Sequence, residues 1–177
     1  YILDQESKKG RPHLERLFNT FEDKTKNNKS SILHVIANSP YKGSVCLQKV
    51  LSYNICDVNA VDDNGSTALH ACCLTGDFDS IKVLVYNGAN INVINNSNYS
   101  PLMYTHFLKL PNPEIIKFLI ENGAIVNLKS DITEKHYMYG IAVCETVYDY
   151  YKARYTYDVT RGNYKQAKYV YECCKTL

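Results

Sequence analysis

One short pattern returns three times along the chain: "SSILHVIA" (Ser30 to Ala37), "STALHACC" (Ser66 to Cys73) and "YSPLMYTH" (Tyr99 to His106). Thr67 and Ser100 stand 33 residues apart. Each copy is followed by an apolar run of helical period, "CLQKVLS", "SIKVLVYNG" and "IIKFLIENG", and then by an asparagine-bearing tail, "DVNAV", "NINVI" and "IVNLK". Asn59 and Asn92 repeat the spacing of 33, and Asn127 follows after 35. A period of this length holds two short helices and a turn. Such a pair has one apolar face that only a neighbouring pair can cover, so the chain is expected to be all-α and to build its core by stacking.

At 177 residues, with 45% hydrophobic and 21% charged side chains, the chain has the means for one sizeable core or a short array. Its 20 Lys+Arg against 18 Asp+Glu leave a net charge of +2, which gives no electrostatic ground for nucleic acid or an anionic membrane as partner. The longest apolar runs are too short to span a bilayer, and no charged-then-apolar leader opens the sequence. The first residue is Tyr1, not Met, so the sequence is expected to be a segment of something longer. Seven cysteines include the vicinal pairs Cys72-Cys73 and Cys173-Cys174, whose members cannot easily bridge each other on a helix. Unpaired buried thiols point to a reducing compartment, cytoplasmic or nuclear.

The unit "DDNGSTALHACCLTGDFDSIKVLVYNGANINVI" (Asp62 to Ile94) carries the turn glycine Gly65, a T-x-L-H set, Gly76 between helices and a closing "NGANIN". In these features it resembles the ankyrin repeat. The resemblance implies an all-α ankyrin-repeat solenoid of stacked helix-turn-helix units joined by short hairpin turns, about four repeats with an N-terminal capping helix. Its boundaries are expected at 1–26 for the cap, then 27–61, 62–94 and 95–129 for three repeats within 27–132, and 133–177 for a degenerate last repeat. In the first repeat Ile55 stands where Gly88 and Gly123 stand later, and "SPYKGS" adds about three residues between its helices. In the third, Asn98 takes the turn-glycine place, where asparagine tolerates a left-handed backbone, and Pro113 suits a first helical turn. Gly162 to Glu172 matches Gly76 to Tyr86 in pattern, with a tyrosine-rich insertion before it.

The concentration of His70, Cys72 and Cys73 in "HACC" raises the prospect of chemistry. Zinc needs four ligands, commonly spaced C-x₂₋₄-C or H-x₃₋₅-H, and "HACC" offers no such pair. A nucleophilic cysteine wants a histidine with an orienting carboxylate. The resemblance supplies a structural role instead. His34 and His70 match the family histidine that bonds backbone between repeats, Thr67 and Ser100 open helices where a hydroxyl accepts an N–H, and the cysteines take the places of paired alanines. No glycine-rich phosphate loop occurs. No catalytic residue, metal site, cofactor or small-molecule substrate is therefore expected.

Ankyrin repeats bind proteins through their turn tips and the groove of their first helices. Carried onto this sequence, the groove positions are Val35, Asn38 and Ser39, then Ala71, Leu74 and Thr75, then Tyr104, Phe107 and Leu108. The tips are Asp62, Asp63, Asn64 and Ser66, then Asn96, Ser97 and Tyr99, then Ser130 and Asp131. The third groove set is either a contact surface or the ground on which the tyrosine-rich insertion folds back. Tyr150, Tyr151 and Tyr155 form a second candidate surface, or a cap over the last repeat. The expected function is a scaffold that binds another protein, or another domain of the parent protein. The alternative is a regulatory or targeting segment of a larger multidomain enzyme, or of a viral or bacterial host-interaction effector.

Overall fold

A computed structural model describes residues 31–39, 43–105 and 112–128, with the isolated positions 146, 149, 152 and 168. The expected cap (1–26) and most of the degenerate last repeat (133–177) lie outside the described residues. Six helices are described: α1 (Ile32–Ala37), α2 (Gly43–Ser52), α3 (Ala68–Thr75), α4 (Phe78–Tyr86), α5 (Pro101–Tyr104) and α6 (Pro113–Glu121). Among the described residues the only extended pairing is an isolated antiparallel bridge between Val61 and Thr67. The chain divides into two compact units, Tyr1–Asn90 and Ile91–Leu177.

In the first unit α1 packs on α2 and α3, and α4 packs on α2 and α3. First helices therefore neighbour first helices, and second helices neighbour second helices. Helices of six to ten residues are marginal alone, so their stability comes from this packing. Leu33, Leu47, Val50, Leu69, Ile81 and Leu84 are essentially inaccessible to solvent, and each such side chain contributes roughly 1.5–3 kcal/mol of burial. On α2 the buried set Gly43, Leu47 and Val50 follows helical spacing. On α3 the set Ala68, Leu69, His70, Cys72 and Cys73 covers most of the helix.

The turn between α3 and α4 takes two residues. Gly76 adopts φ 73° and its N–H donates to the Cys72 carbonyl at 2.9 Å, a left-handed closure that a side chain would strain. Asp77 then opens α4, accepting from the Ser80 N–H at 3.2 Å and from the Ser80 hydroxyl at 2.6 Å. A Cβ on Gly43 would lie 3.1 Å from Ser80 Oγ and 3.2 Å from the Ile36 carbonyl oxygen. The start of α2 thus approaches α1 and α4 so closely that a Cβ there would require these neighbours to give by a few tenths of an ångström.

In the second unit Pro101 and Pro113 each occupy a first helical turn, as expected for Pro113. Ser100 caps α5 by accepting from Met103 N–H at 3.4 Å, and Asn112 caps α6 by accepting from Glu114 N–H at 3.0 Å. Leu102, Met103, Ile115, Ile116 and Leu119 form its buried core. No helix among the described residues is long and apolar enough to cross a membrane.

Candidate functional site

The two described turn tips, Asp62–Ser66 and Asn95–Tyr99, have one backbone geometry. In the first, Asp62 N–H donates to the Ser66 carbonyl (2.9 Å) and Gly65 N–H to the Asp62 carbonyl (3.0 Å). In the second, Asn95 N–H donates to the Tyr99 carbonyl (3.1 Å) and Asn98 N–H to the Asn95 carbonyl (2.9 Å). Asp62 Oδ1 accepts from Asn64 and Ser66 N–H at 2.9 and 2.8 Å, while Asn95 Oδ1 accepts from Ser97 and Tyr99 N–H at 3.0 Å each. Gly65 (φ 70°) and Asn98 (φ 59°) take the left-handed position, the role expected of Asn98. The tips differ in side-chain chemistry. Asn95 has an amide N–H to spend, and it donates to the Tyr104 hydroxyl at 2.9 Å. Tyr99 meets Tyr104 edge to face at 5.9 Å between centroids. Burial, and then the neighbouring Tyr104, pushes the Tyr99 phenol above its ordinary range.

His34 holds the first tip to α1. Its Nε2 lies 2.7 Å from the Ser66 carbonyl oxygen, which only accepts, so Nε2 carries the proton. Nδ1 accepts from Ser31 N–H at 3.1 Å and lies 2.8 Å from the Ser31 hydroxyl. His70 repeats the local half of this arrangement: Nδ1 accepts from Thr67 N–H at 3.0 Å and lies 2.9 Å from Thr67 Oγ1. The Ser31 and Thr67 hydroxyls therefore converge on a ring nitrogen, where the sequence suggested only a hydroxyl accepting an N–H at Thr67. Both rings are buried.

The asparagines that mark the sequence period have a further role not foreseen from sequence. Asn59 Nδ2 donates to the Gly88 carbonyl (3.3 Å) and its Oδ1 accepts from Asn90 N–H (2.7 Å). Asn92 repeats the pattern on Gly123 (2.9 Å) and Ile125 (2.9 Å). Each amide clamps the loop that closes the next repeat.

Cys72 and Cys73 have no accessible surface. Burial first, then the charge of Asp77, pushes the Cys72 thiol up to about 12 against the pull of a Ser80 hydrogen bond. Burial drives Cys73 upward too, with Cys72 adding to it. A nucleophilic thiol needs the opposite shift. Among the described residues no group of three or more His, Cys, Asp or Glu is placed to hold a metal ion.

Among the groove positions, Asn38, Ser39, Leu74, Thr75 and Val35 are exposed and Ala71 is half-buried. Val35 retains 49% and Leu74 42% of full exposure, on helices whose Leu33, Ala37, Ala68 and Leu69 are buried. The tip residues Asp63, Asn64, Asn96 and Ser97 are exposed, whereas Ser66 and Tyr99 are half-buried. Tyr104 is half-buried and bonded to Asn95. Phe107, Leu108, Ser130, Asp131, Tyr150, Tyr151 and Tyr155 lie outside the described residues. A trough of about 630 Å³ runs between the second helices, lined by Val45 and Lys49 of α2 and by Asp79, Lys82, Val83 and Tyr86 of α4 among others. Helical spacing shows which residues α2 and α4 leave uncovered, but not that two such stripes meet in a concavity.

A family model described as ankyrin repeats (3 copies) matches residues 7–95 and 33–130. The chain is 41% identical over 64 residues to an ankyrin repeat protein of Acanthamoeba polyphaga mimivirus, covering 36% of this chain and 6% of that protein. It is 48% identical over 46 residues to the human neurogenic locus notch homolog protein 1, covering 26% of this chain and 2% of that one. With the human ankyrin repeat and SOCS box protein 16 it shares 37% over 65 residues, 36% of this chain and 14% of that protein. The chain thus matches only a small share of each of these relatives' lengths.

Proposed function

Because the chain belongs to the ankyrin-repeat family, an all-α fold whose repeats are generally protein-interaction modules, we propose that it recognises another protein, or another domain of its parent protein, through first helices and turn tips. The observation that carries this reading is the exposure of Val35 and Leu74 on α1 and α3. Solvent-facing aliphatic side chains, with the exposed polar residues Asn38, Ser39 and Thr75 near them in the chain, fit the mixed apolar and polar character of a protein interface. The proposed contact residues are Asn38, Asp63, Asn64, Ser66, Leu74 and Thr75 in the first unit and Asn96, Ser97, Tyr99 and Tyr104 in the second. Phe107, Leu108, Tyr150, Tyr151 and Tyr155 are proposed from sequence alone.

Photo-crosslinking tests this directly. With the crosslinker placed in turn at 38, 63, 75, 45 and 86, a purified partner is expected to couple from the first three. Coupling only from 45 and 86, on the second helices, overturns the reading.

Recognition without catalysis is supported by the upward-shifted thiols. Iodoacetamide at neutral pH is expected to alkylate exposed Cys46 and to spare Cys72 and Cys73 while the chain is folded. A second reading has recognition serving a larger protein whose activity lies elsewhere, and it is favoured by the length of the relatives. A cytoplasmic or nuclear setting fits the free cysteines among the described residues.

A further inference from the structure

We propose that Asn64 is a site of spontaneous covalent modification, a deamidation in which the Gly65 backbone nitrogen displaces the side-chain amide and leaves aspartate or isoaspartate on the Asp62–Ser66 turn. The proposal is independent of the recognition reading. Asparagine is a thermolabile residue, and a following glycine favours this reaction because it puts no side chain beside the attacking nitrogen. The sequence holds three such pairs, Asn64-Gly65, Asn87-Gly88 and Asn122-Gly123. All three asparagines are exposed, and the three glycines have positive φ, at 70°, 87° and 93°. Each glycine N–H donates to the carbonyl three residues before it, that of Asp62 (3.0 Å), Val85 (3.0 Å) or Ile120 (2.9 Å). The nucleophile is therefore held alike at the three sites, and what distinguishes them is the amide it must reach.

Asn87 and Asn122 end α4 and α6, and each turns its Nδ2 back onto its own helix, donating to the Val83 carbonyl at 2.7 Å and to the Phe118 carbonyl at 2.8 Å. Ring closure at either site has to break that bond first. Among the described residues the Asn64 side chain makes no such bond; the turn engages its backbone N–H, which donates to Asp62 Oδ1 at 2.9 Å. No hydrogen bond therefore restrains its Cγ from reaching the Gly65 nitrogen. In the reaction that nitrogen gives its proton to hydroxide and bonds to Cγ, Nδ2 leaves as ammonia with a proton from water, and a second water opens the resulting succinimide. Opening at Cγ leaves aspartate. Opening at the backbone carbonyl leaves isoaspartate, whose main chain runs through Cγ and gains one methylene between residues 64 and 65. Asn64 and Ser66 N–H share Asp62 Oδ1 at 2.9 and 2.8 Å, and the Ser66 carbonyl also meets His34 Nε2 at 2.7 Å. The added methylene falls between groups held by a single oxygen, and it loosens the turn that His34 ties to α1.

The test incubates the full chain at mildly alkaline pH, either folded or in urea, and digests it under acidic conditions. Mass spectrometry reads the conversion at each asparagine, and electron-transfer fragmentation separates aspartate from isoaspartate. In the folded chain Asn64 is expected to convert at least about fivefold faster than Asn87 or Asn122, the factor that one side-chain hydrogen bond contributes. In urea that advantage is expected to disappear. Equal rates at the three sites in the folded chain, a faster rate at Asn87 or Asn122, or protection of all three by the fold overturns the proposal. A preference for Asn64 that persists undiminished in urea also overturns it, because the cause then lies in the local sequence and not in the unrestrained amide. In the isoaspartyl fraction, hydrogen exchange at the Ser66 N–H is expected to quicken about fivefold as its bond is lost; unchanged exchange there overturns the effect on the turn.

Discussion

The turns Asp62–Ser66 and Asn95–Tyr99 share four hydrogen bonds, two between backbone groups and two to a side-chain oxygen, yet their side chains differ in chemistry. The first begins with a carboxylate and passes through glycine. The second begins with an amide, passes through asparagine and ends on a tyrosine. An aspartate can only accept, so the first tip keeps its charge. An asparagine also donates, and in the second tip that donor goes to Tyr104. One backbone geometry therefore yields a charged tip in the first unit and a neutral, internally braced one in the second. Where such turns recur, the scaffold is set by acceptor geometry and left-handed residues, and the chemistry of each tip by its side chains.

The largest expected contrast lies at the position three residues into each first helix. His34 accepts Ser31 N–H and donates to the Ser66 carbonyl; at the corresponding place Met103 offers only a thioether, 3.4 Å from Ser100 N–H. His34→Leu leaves the Ser31 N–H without its acceptor, at about 1–3 kcal/mol, and removes one bond to a Ser66 carbonyl that keeps the Asp62 N–H, at about 0.5–1.5 kcal/mol. Met103→Leu keeps the volume and is expected to cost less than about 1.5 kcal/mol. Urea denaturation of the full chain, followed by probes in each unit, measures both. Equal losses would erase the distinction between the units.

Smaller effects are expected from exchanging the first residues of the two tips. Asn95 is 5% exposed, and Asn95→Asp removes the donor to Tyr104 while burying a charge, an expected loss of about 1–3 kcal/mol. Asp62→Asn retains the accepting oxygen and stays within about 0.5 kcal/mol of the parent. Near-equal midpoints would show that the amide donor does not brace the second tip. The smallest contrast is at the left-handed residues. Gly65→Ala is expected to cost about 1 kcal/mol, and Asn98→Gly to change stability by less than about 0.5 kcal/mol. A large gain from Asn98→Gly would mean that asparagine is strained there.

Much of this scaffold was legible before any coordinates. The spacing of 33 located the helix pairs, and the left-handed demand at Gly65 and Asn98 followed from turn chemistry. The burial of Cys72 and Cys73 was expected because the resemblance sets them at the paired-alanine places of a first helix. What escaped was what depends on more than one segment. Alignment on Asn59 set Ile55 opposite Gly88, but the left-handed residue after α2 is Asn54 (φ 52°), two positions past Ser52 as Gly88 is two past Tyr86. The loop that follows is one residue longer, and a fixed period hides such an insertion. Tyr104 reads in sequence as an open groove aromatic. Its bond to Asn95 appears only once the turn has folded back, nine residues away. The Asn59 and Asn92 clamps span 29 to 33 residues, and in sequence these asparagines serve only as markers of register.

Underlying these comparisons is the assignment of His34 as a brace between turn and helix, with His70 repeating its local half. Long-range ¹H–¹⁵N NMR of the imidazole rings at neutral pH tests it most directly. The account predicts that the rings of residues 34 and 70 both carry the proton on Nε2, with a through-hydrogen-bond coupling from His34 to the Ser66 carbonyl carbon. A proton resident on Nδ1 of either ring, or a nitrogen shift produced by bound metal, would contradict it.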